Sequence, residues 1–389
     1  MNQRVRQTHL EYYREHQITP VHYDLNCMQS HLERRQALYQ KLGLLPLTFR
    51  QSNVLEIAAG TGQNSLYIAQ LMPKKFVLLE PNEVAVSHIK NTYEQFTHPH
   101  TQPQIVSTTL ENYLPEESFD IVLCENWLGT SEHEKALLNK LSTFVAPQGL
   151  LVLTTVSPIG FVPNLLRRFL AIYLCGEQED FLQKTETLSL AFASHLGTLS
   201  AMTRNITDWV QDNMLNPAYF GLCLSIPTVV ERLKDRFDIL GSSPGFITDW
   251  RWFKKVYGAE RRFNEYFLTE YWQNAHNFLD YREPPKSDGS ENNFELESKA
   301  FELLHMIAEH EDAHMDRKDL ASYAQNVRWA LNEFIELIPR SFIAAQSGLK
   351  ELRHLIHSPE TITVQSVQNM IYFQALFGRE TAYISLIRG

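Results

Sequence analysis

The stretch Val54-Leu55-Glu56-Ile57-Ala58-Ala59-Gly60-Thr61-Gly62-Gln63-Asn64-Ser65 decides the fold. Val54 to Ile57 is a short β-type run, the turn after it is built of small residues, and Ser65 to Leu71 repeats at helical spacing. A strand that feeds a tight turn opening a helix is the first half of a βαβ unit. Gly60 and Gly62 permit backbone angles and a close approach that side chains would block, so a ligand can lie against the turn and the helix N-terminus. The next apolar run, Phe76-Val77-Leu78-Leu79, ends at Glu80. A carboxylate in that position can accept both hydroxyls of a ribose. Turn and acid together predict a nucleoside site.

Outward from this unit, strand and helix keep alternating. A helix is predicted from about Asn82 to Phe96, strands at Ile105-Val106 and Phe119 to Cys124, a helix around Glu132 to Phe144 and a strand at Leu150 to Thr155. The pattern is that of a parallel sheet with helices on both faces. A weaker strand signal returns at Phe237 to Leu240, and Thr381 to Leu386 alternates apolar and polar residues as an antiparallel strand does. The resulting division is an N-terminal helical segment (1–50), a ligand-binding core (51–158), a helical lid or acceptor block (159–225), a continuation of the core with its sixth strand (226–252), a helical insertion (253–370) and a final core strand (371–389).

Composition narrows the functional classes. With 44% hydrophobic and 21% charged residues, the chain of 389 can bury a large core. Its 45 acidic and 35 basic residues give a net charge of −10, which repels phosphate backbones, so nucleic acid is not an expected partner. Cys27, Cys124, Cys175 and Cys223 form no CxxC pair, which argues against a disulfide framework or a cysteine zinc site and suits a reducing, cytoplasmic setting. No apolar run near Met1 forms a signal-peptide core. The uncharged stretch Leu141 to Leu166 contains Pro147, Gly149, Pro158, Gly160 and Pro163, and reads as turn, strand and loop, not as a membrane helix.

The Val54 to Ser65 segment resembles the class I S-adenosylmethionine-dependent methyltransferases, whose first motif is an acidic residue followed by alternating small residues and glycines. Glu56 stands at the acidic position, and Ala58, Gly60 and Gly62 at the small ones, with alanine replacing the first glycine. Phe119 to Cys124, leading into Glu125-Asn126-Trp127, resembles the fourth strand of that family, and Pro147-Gln148-Gly149-Leu150 the turn before the fifth. The resemblance implies a doubly wound, Rossmann-like methyltransferase α/β sheet, mostly parallel with its last strand antiparallel, and S-adenosyl-L-methionine as cofactor. It also implies a cofactor site of Glu56, Ala58, Ala59, Gly60, Thr61, Gly62, Gln63, Glu80, Pro81, Asn82, Thr109, Leu110, Glu125 and Asn126. Thr108 and Thr109 stand where the family places an acidic residue near the adenine amino group.

Methyl transfer to an oxygen or nitrogen of a small or medium-sized acceptor, including a peptide, is therefore the expected activity. Glu125, His133 and His195 are the candidate bases, and the 160–225 block is expected to form most of the acceptor pocket. Three other readings compete. A dinucleotide site would use Gly60, Gly62 and Ser65 as an approximate GxGxxG. A non-catalytic scaffold would engage a partner through residues 253–370. A zinc hydrolase would rest on His310-Glu311-x-x-His314, but Asp312 inside that motif and the absence of an evident third ligand suggest a solvated helix face. Phe161 to Leu174, with Arg167 and Arg168, reads as a core or lid helix ahead of a membrane-surface one. Trp209, Tyr219, Phe220, Trp250, Trp252 and Phe253 are read mainly as core.

Overall fold

Val54, Leu55 and Ile57 are each at most 2% exposed, as a strand apolar on both faces requires at the centre of a sheet. Strand β1 (Asn53–Ile57) pairs in parallel with β2 (Lys75–Leu79) on one side and β4 (Phe119–Cys124) on the other, and β3 (Gln104–Val106) lies outside β2. Beyond β4 come β5 (Val145–Val156), β7 (Thr381–Arg388) and β6 (Phe237–Ser243), giving the order β3-β2-β1-β4-β5-β7-β6. Only β7 runs against its neighbours. The fold is thus the doubly wound α/β sheet expected, mostly parallel with the last strand antiparallel. The computed structural model describes all residues except 1–6, 20, 21, 24, 26, 97–100, 129–132, 177, 201, 203, 221–223 and 314–316.

The chain forms two compact units. One takes residues 7–156, 221–271 and 381–389 and contains the whole sheet; the other takes 157–220 and 272–380 and is helical. On one face of the sheet, Val54, Leu78, Ile121, Leu123 and Val152 pack in a cluster with Tyr39, Phe49, Leu66, Ile68 and Ile89. The side-chain period of two in a strand places Glu56 on the same face as Val54, facing those helices. The N-terminal segment contains three described helices, His9–His16, Met28–Lys41 and the short Pro46–Phe49, the first closed by a capping box between Thr8 and Glu11. The β5 strand is longer than the 150–155 expected, because the ladder slips between Phe119 and Ile121 and takes in Val145 as well.

In the helical unit, Pro158–Leu174 is buried continuously from Pro158 to Ala171, as a helix apolar all round must be. Arg167 and Arg168 are 0% and 1% exposed. Arg167 donates to the carbonyls of Leu376 and Phe373 and lies over the Phe377 ring at 3.7 Å. Arg168 donates to the carbonyls of Asn213 and Asn216 and pairs with Glu311 at 3.1 Å. This is a core helix whose two arginines both find partners inside, although Arg168 Nε makes no hydrogen bond among the described residues. Residues 253–271 fall in the sheet unit and 272–380 in the helical one. Among the described residues no helix is long and apolar enough to cross a membrane.

Candidate active site

The parallel strands end together at one sheet edge, and their final residues are tied by backbone bonds. Ala58 N–H donates to the Leu79 carbonyl at 2.8 Å, and Glu80 N–H donates to the Val106 carbonyl at 3.1 Å. The turn after β1 is thereby fixed beside the end of β2. Across that junction the Glu80 carboxylate accepts the Gly60 N–H through Oε2 at 2.8 Å and the Asn82 N–H through Oε1 at 2.9 Å. Each oxygen has a further lone pair to offer. Burial pushes the Glu80 carboxyl up to about 7 against the pull of these two N–H groups.

Three residues of the turn hold left-handed backbone: Ala58 at φ 54°, Gly60 at 57° and Gly62 at 72°. A Cβ on Gly62 would meet Ile89 at 3.1 Å, whereas a Cβ on Gly60 would meet nothing within 4 Å. Gly62 is required by packing, and Gly60 keeps a cradle open. Ala58 has a left-handed angle that costs an alanine about 1 to 2 kcal/mol, a strain of the kind that clusters at ligand sites. Thr61 is 4% exposed and its carbonyl accepts from Thr92 Oγ1 at 3.2 Å; the Ala59 carbonyl accepts the Gly62 N–H.

Glu56, at the head of the turn, is 5% exposed, and its Oε2 has no hydrogen-bond partner among the described residues. Burial, reinforced by the nearby Glu125 charge, raises its carboxyl to about 8. A buried acceptor without a donor fits a cationic ligand, which would draw the group back to its ionised form.

The strand β4 delivers Glu125 to the same edge, but not as a free base. Arg35 Nη2 sits 2.7 Å from both carboxylate oxygens, and Tyr39 donates its hydroxyl to Oε1 at 2.7 Å. Glu125 is therefore half of a buried ion pair, with side-chain exposures of 8% for Arg35 and 6% for Glu125. Asn126, at φ 57°, bonds through its N–H to Thr154 Oγ1 at 2.7 Å and through Nδ2 to the Tyr383 hydroxyl at 3.3 Å. Asn82 caps the helix Glu83–Gln95 by accepting the Val84 N–H. Thr109 and the buried Leu110 follow β3, where the Thr109 carbonyl accepts the Asn112 and Tyr113 N–H groups.

The N-terminal segment reaches the same loops, a feature the sequence did not disclose. Gln63 Oε1 accepts the Tyr23 N–H at 2.7 Å, His31 Nε2 lies 3.1 Å from the Gln63 carbonyl, Arg14 donates to the Pro81 carbonyl at 3.0 Å, and Asn82 Nδ2 donates to the Ile18 carbonyl at 3.1 Å. His31, Arg35 and Tyr39, spaced by four, form one buried polar stripe on the helix Met28–Lys41. That spacing is the signal available in the sequence, although nothing there says which face turns inward.

The remaining candidates are histidines. His195 is 0% exposed within the helical unit, its Nδ1 3.2 Å from Arg167 Nε and its Nε2 3.0 Å from the Val367 carbonyl. With burial, then Arg167, holding its pKa down to about 3, it is a structural histidine and offers no ring nitrogen to an acceptor. His133 opens the helix His133–Thr143, but its side chain lies outside the described residues. His310 does not stand on a solvated face. It is 3% exposed and stacks on Tyr323 with ring centroids 3.5 Å apart, and burial lowers its pKa to about 4. Glu311 is committed to Arg168, and His314 lies outside the described residues. Among the described residues no group of His, Cys, Asp and Glu is arranged to hold a metal ion.

The strand order, the turn and the acid after β2 are the features expected above of a doubly wound α/β sheet that carries a nucleoside site. Residues 28–191 match the family described as a methyltransferase domain. No curated protein matches the chain. Solved structures that resemble it include a protein from Thermoplasma acidophilum (13% identity, 27% of this chain, 44% of that one, TM-score 0.24). The magnesium protoporphyrin IX methyltransferase of Synechocystis with bound S-adenosylmethionine gives 16% identity over 37% of this chain and 70% of that one, at a TM-score of 0.29. The N-methyltransferase NodS of Bradyrhizobium japonicum in complex with S-adenosylhomocysteine gives 17%, 37%, 73% and 0.30. The chain spans less than half the length of the Thermoplasma protein. At these scores the likenesses carry no weight of their own, and the fold rests on the strand order.

Proposed function

We propose that the protein transfers the methyl group of S-adenosylmethionine to an oxygen or nitrogen of a small or medium-sized acceptor. The observation that supports this most directly is the bond between Glu80 and Gly60, which brings the ribose-binding acid against the turn whose Gly60 keeps an open cradle. In this reading Glu80 receives the ribose hydroxyls, the Ala58 to Gln63 turn carries the amino-acid and ribose portion, and Glu56 faces its cationic end. Pro81, Asn82, Thr109 and Leu110 flank the base, while Asn126 stands at the end of β4 beside the turn.

When bound, the cofactor supplies an already activated sulfonium methyl. The protein's share is then to align the acceptor in line with the methyl and to exclude water; a base is required only if the acceptor must lose a proton. Glu125 contributes by position. Held by Arg35 and Tyr39, it fixes the end of β4 against the helix Met28–Lys41 and adds negative charge beside Glu56.

Calorimetric titration with S-adenosylmethionine and S-adenosylhomocysteine, followed by transfer of labelled methyl groups into extracts, tests the proposal. Binding of both with label transfer supports it. Binding without transfer would favour a cofactor-binding scaffold, and failure to bind either would remove the reading altogether.

A further inference from the structure

After β6 the chain leaves the sheet edge at which β1 and β2 also end, because β6 is parallel to them. Residues 246–262 then carry Arg251, Lys254, Lys255, Arg261 and Arg262 against Asp249 and Glu260, a local charge of +3 on a chain whose net charge is −10. Trp250, Trp252, Phe253 and Tyr257, read from sequence as core in three cases, are 91%, 60%, 74% and 73% exposed, and Ile247 is 37% exposed. Single exposed aromatics are ordinary, but four within eight residues form a patch of the kind that marks an interaction site.

The segment is built to present them. Phe246 anchors its start, 5.0 Å from the buried Phe267 ring. Arg251 anchors its middle, gripping the Asp249 carboxylate at 2.5 and 2.9 Å and lying over the Tyr266 ring at 3.7 Å. Arg251 is partly buried at 13% side-chain exposure, while its neighbours Trp250 and Trp252 are exposed. The three arginines have acidic partners in Asp249, Asp238 and Glu260. Lys254 and Lys255, exposed between Phe253 and Tyr257, are in no ion pair among the described residues.

We propose that residues 247–257 dock on an anionic bilayer surface, with Trp250, Trp252, Phe253 and Tyr257 entering the headgroup layer and Lys254 and Lys255 facing its negative charge. Trp and Tyr settle at that depth because their rings are apolar and their edges polar, and juxtamembrane lysines are drawn to anionic leaflets. Lysine is depleted at the core of protein interfaces, so two lysines set among the aromatics argue against a protein partner. Two cations outside any ion pair among the described residues, Lys254 lying over the Trp252 ring at 5.5 Å, are few for tracking a phosphate backbone. Strand β6, from which the segment leaves, lies four strand spacings from β1, about 19 Å. This contact is independent of whether methyl transfer occurs.

Flotation of the full chain with phosphatidylcholine vesicles, with and without phosphatidylserine, tests it. The expected result is capture by the phosphatidylserine vesicles with a blue shift of tryptophan emission. The Lys254→Ser/Lys255→Ser variant should lose about tenfold to thirtyfold in vesicle affinity, and Trp250→Ala/Trp252→Ala/Phe253→Ala should lose capture. Unchanged circular dichroism in both variants shows that the fold is kept. Absence of capture by either vesicle, or capture unaffected in both variants, overturns the proposal, as does self-association or single-stranded RNA binding that these substitutions abolish while vesicle capture is absent.

Discussion

The Glu80 carboxylate accepts the Gly60 backbone N–H at 2.8 Å, bridging the end of the second strand to the turn after the first. One bond thereby does two things. It holds the turn in its left-handed course, and it keeps a carboxylate oriented with lone pairs still to offer. The acid is a structural member of the turn as well as a candidate ligand for a sugar.

Replacing Glu80 should therefore separate into two effects. Glu80→Ala is expected to weaken cofactor binding by about 2 to 4 kcal/mol, since bonds to a charged group contribute about 1.5 to 3 kcal/mol each and rarely add fully. It also leaves the Gly60 and Asn82 N–H groups without their acceptor, so stability should fall by about 1 to 3 kcal/mol. Titration calorimetry and urea unfolding report the two separately. Unchanged affinity in the variant would take Glu80 out of the site.

The two glycines of the turn should behave differently. Gly62→Ala drives a methyl group into Ile89 at 3.1 Å while φ is 72°, so stability falls, by about 1 to 3 kcal/mol. Gly60→Ala meets no atom, so its stability cost is only the left-handed angle, about 1 kcal/mol. Its methyl group would instead occupy the cradle and lower cofactor affinity. Equal affinity losses at the two positions would contradict this division.

Much of this arrangement was legible because it is local. Strand, turn and helix from Val54 to Ser65 are contiguous, and the acid at 80 closes the next strand, so residue pattern alone places both at one sheet edge. The Arg35–Glu125 pair was not legible, because it joins residues 90 positions apart and Arg35 reads as an ordinary surface cation beside Arg34. Side-chain burial depends on distant segments in the same way: the Phe161 to Leu174 helix is core, as read, whereas Trp250 and Trp252, also read as core, are exposed. Arg167 and Arg168 find carbonyls and a carboxylate brought from distant segments and become core, whereas Trp250 and Trp252 find no covering element and stay in solvent.

That buried pair makes a sharp stability prediction. Arg35→Leu strands a carboxylate in the interior and should cost about 3 to 5 kcal/mol. Arg35→Leu/Glu125→Leu removes both charges and should cost less than the two single changes together, with a coupling energy of about 2 to 3 kcal/mol. Additive losses by chemical denaturation would mean that the pair is not formed in solution.

The last prediction concerns pH and follows from two raised carboxyls in the sheet unit. Glu80 titrates at about 7 and Glu56 at about 8, against an ordinary 4.5, in both cases chiefly through burial. The folded state then holds these protons more tightly than the unfolded chain does. Their contribution to stability is complete below about pH 4.5 and is lost as pH rises through 7 and 8, because over that window the folded form binds more protons. Glu56→Gln, which cannot ionise, should flatten the decline in its upper part. Cofactor affinity should move the other way, since ribose hydroxyls donate best to an ionised Glu80 and a cation beside Glu56 favours its carboxylate. Binding near pH 7 should therefore release protons, seen as a dependence of the calorimetric heat on the buffer's ionisation enthalpy. Proton uptake on binding, or a stability that rises from pH 5 to 8 in wild type but not in Glu56→Gln, would show that these carboxyls are ionised before the cofactor arrives.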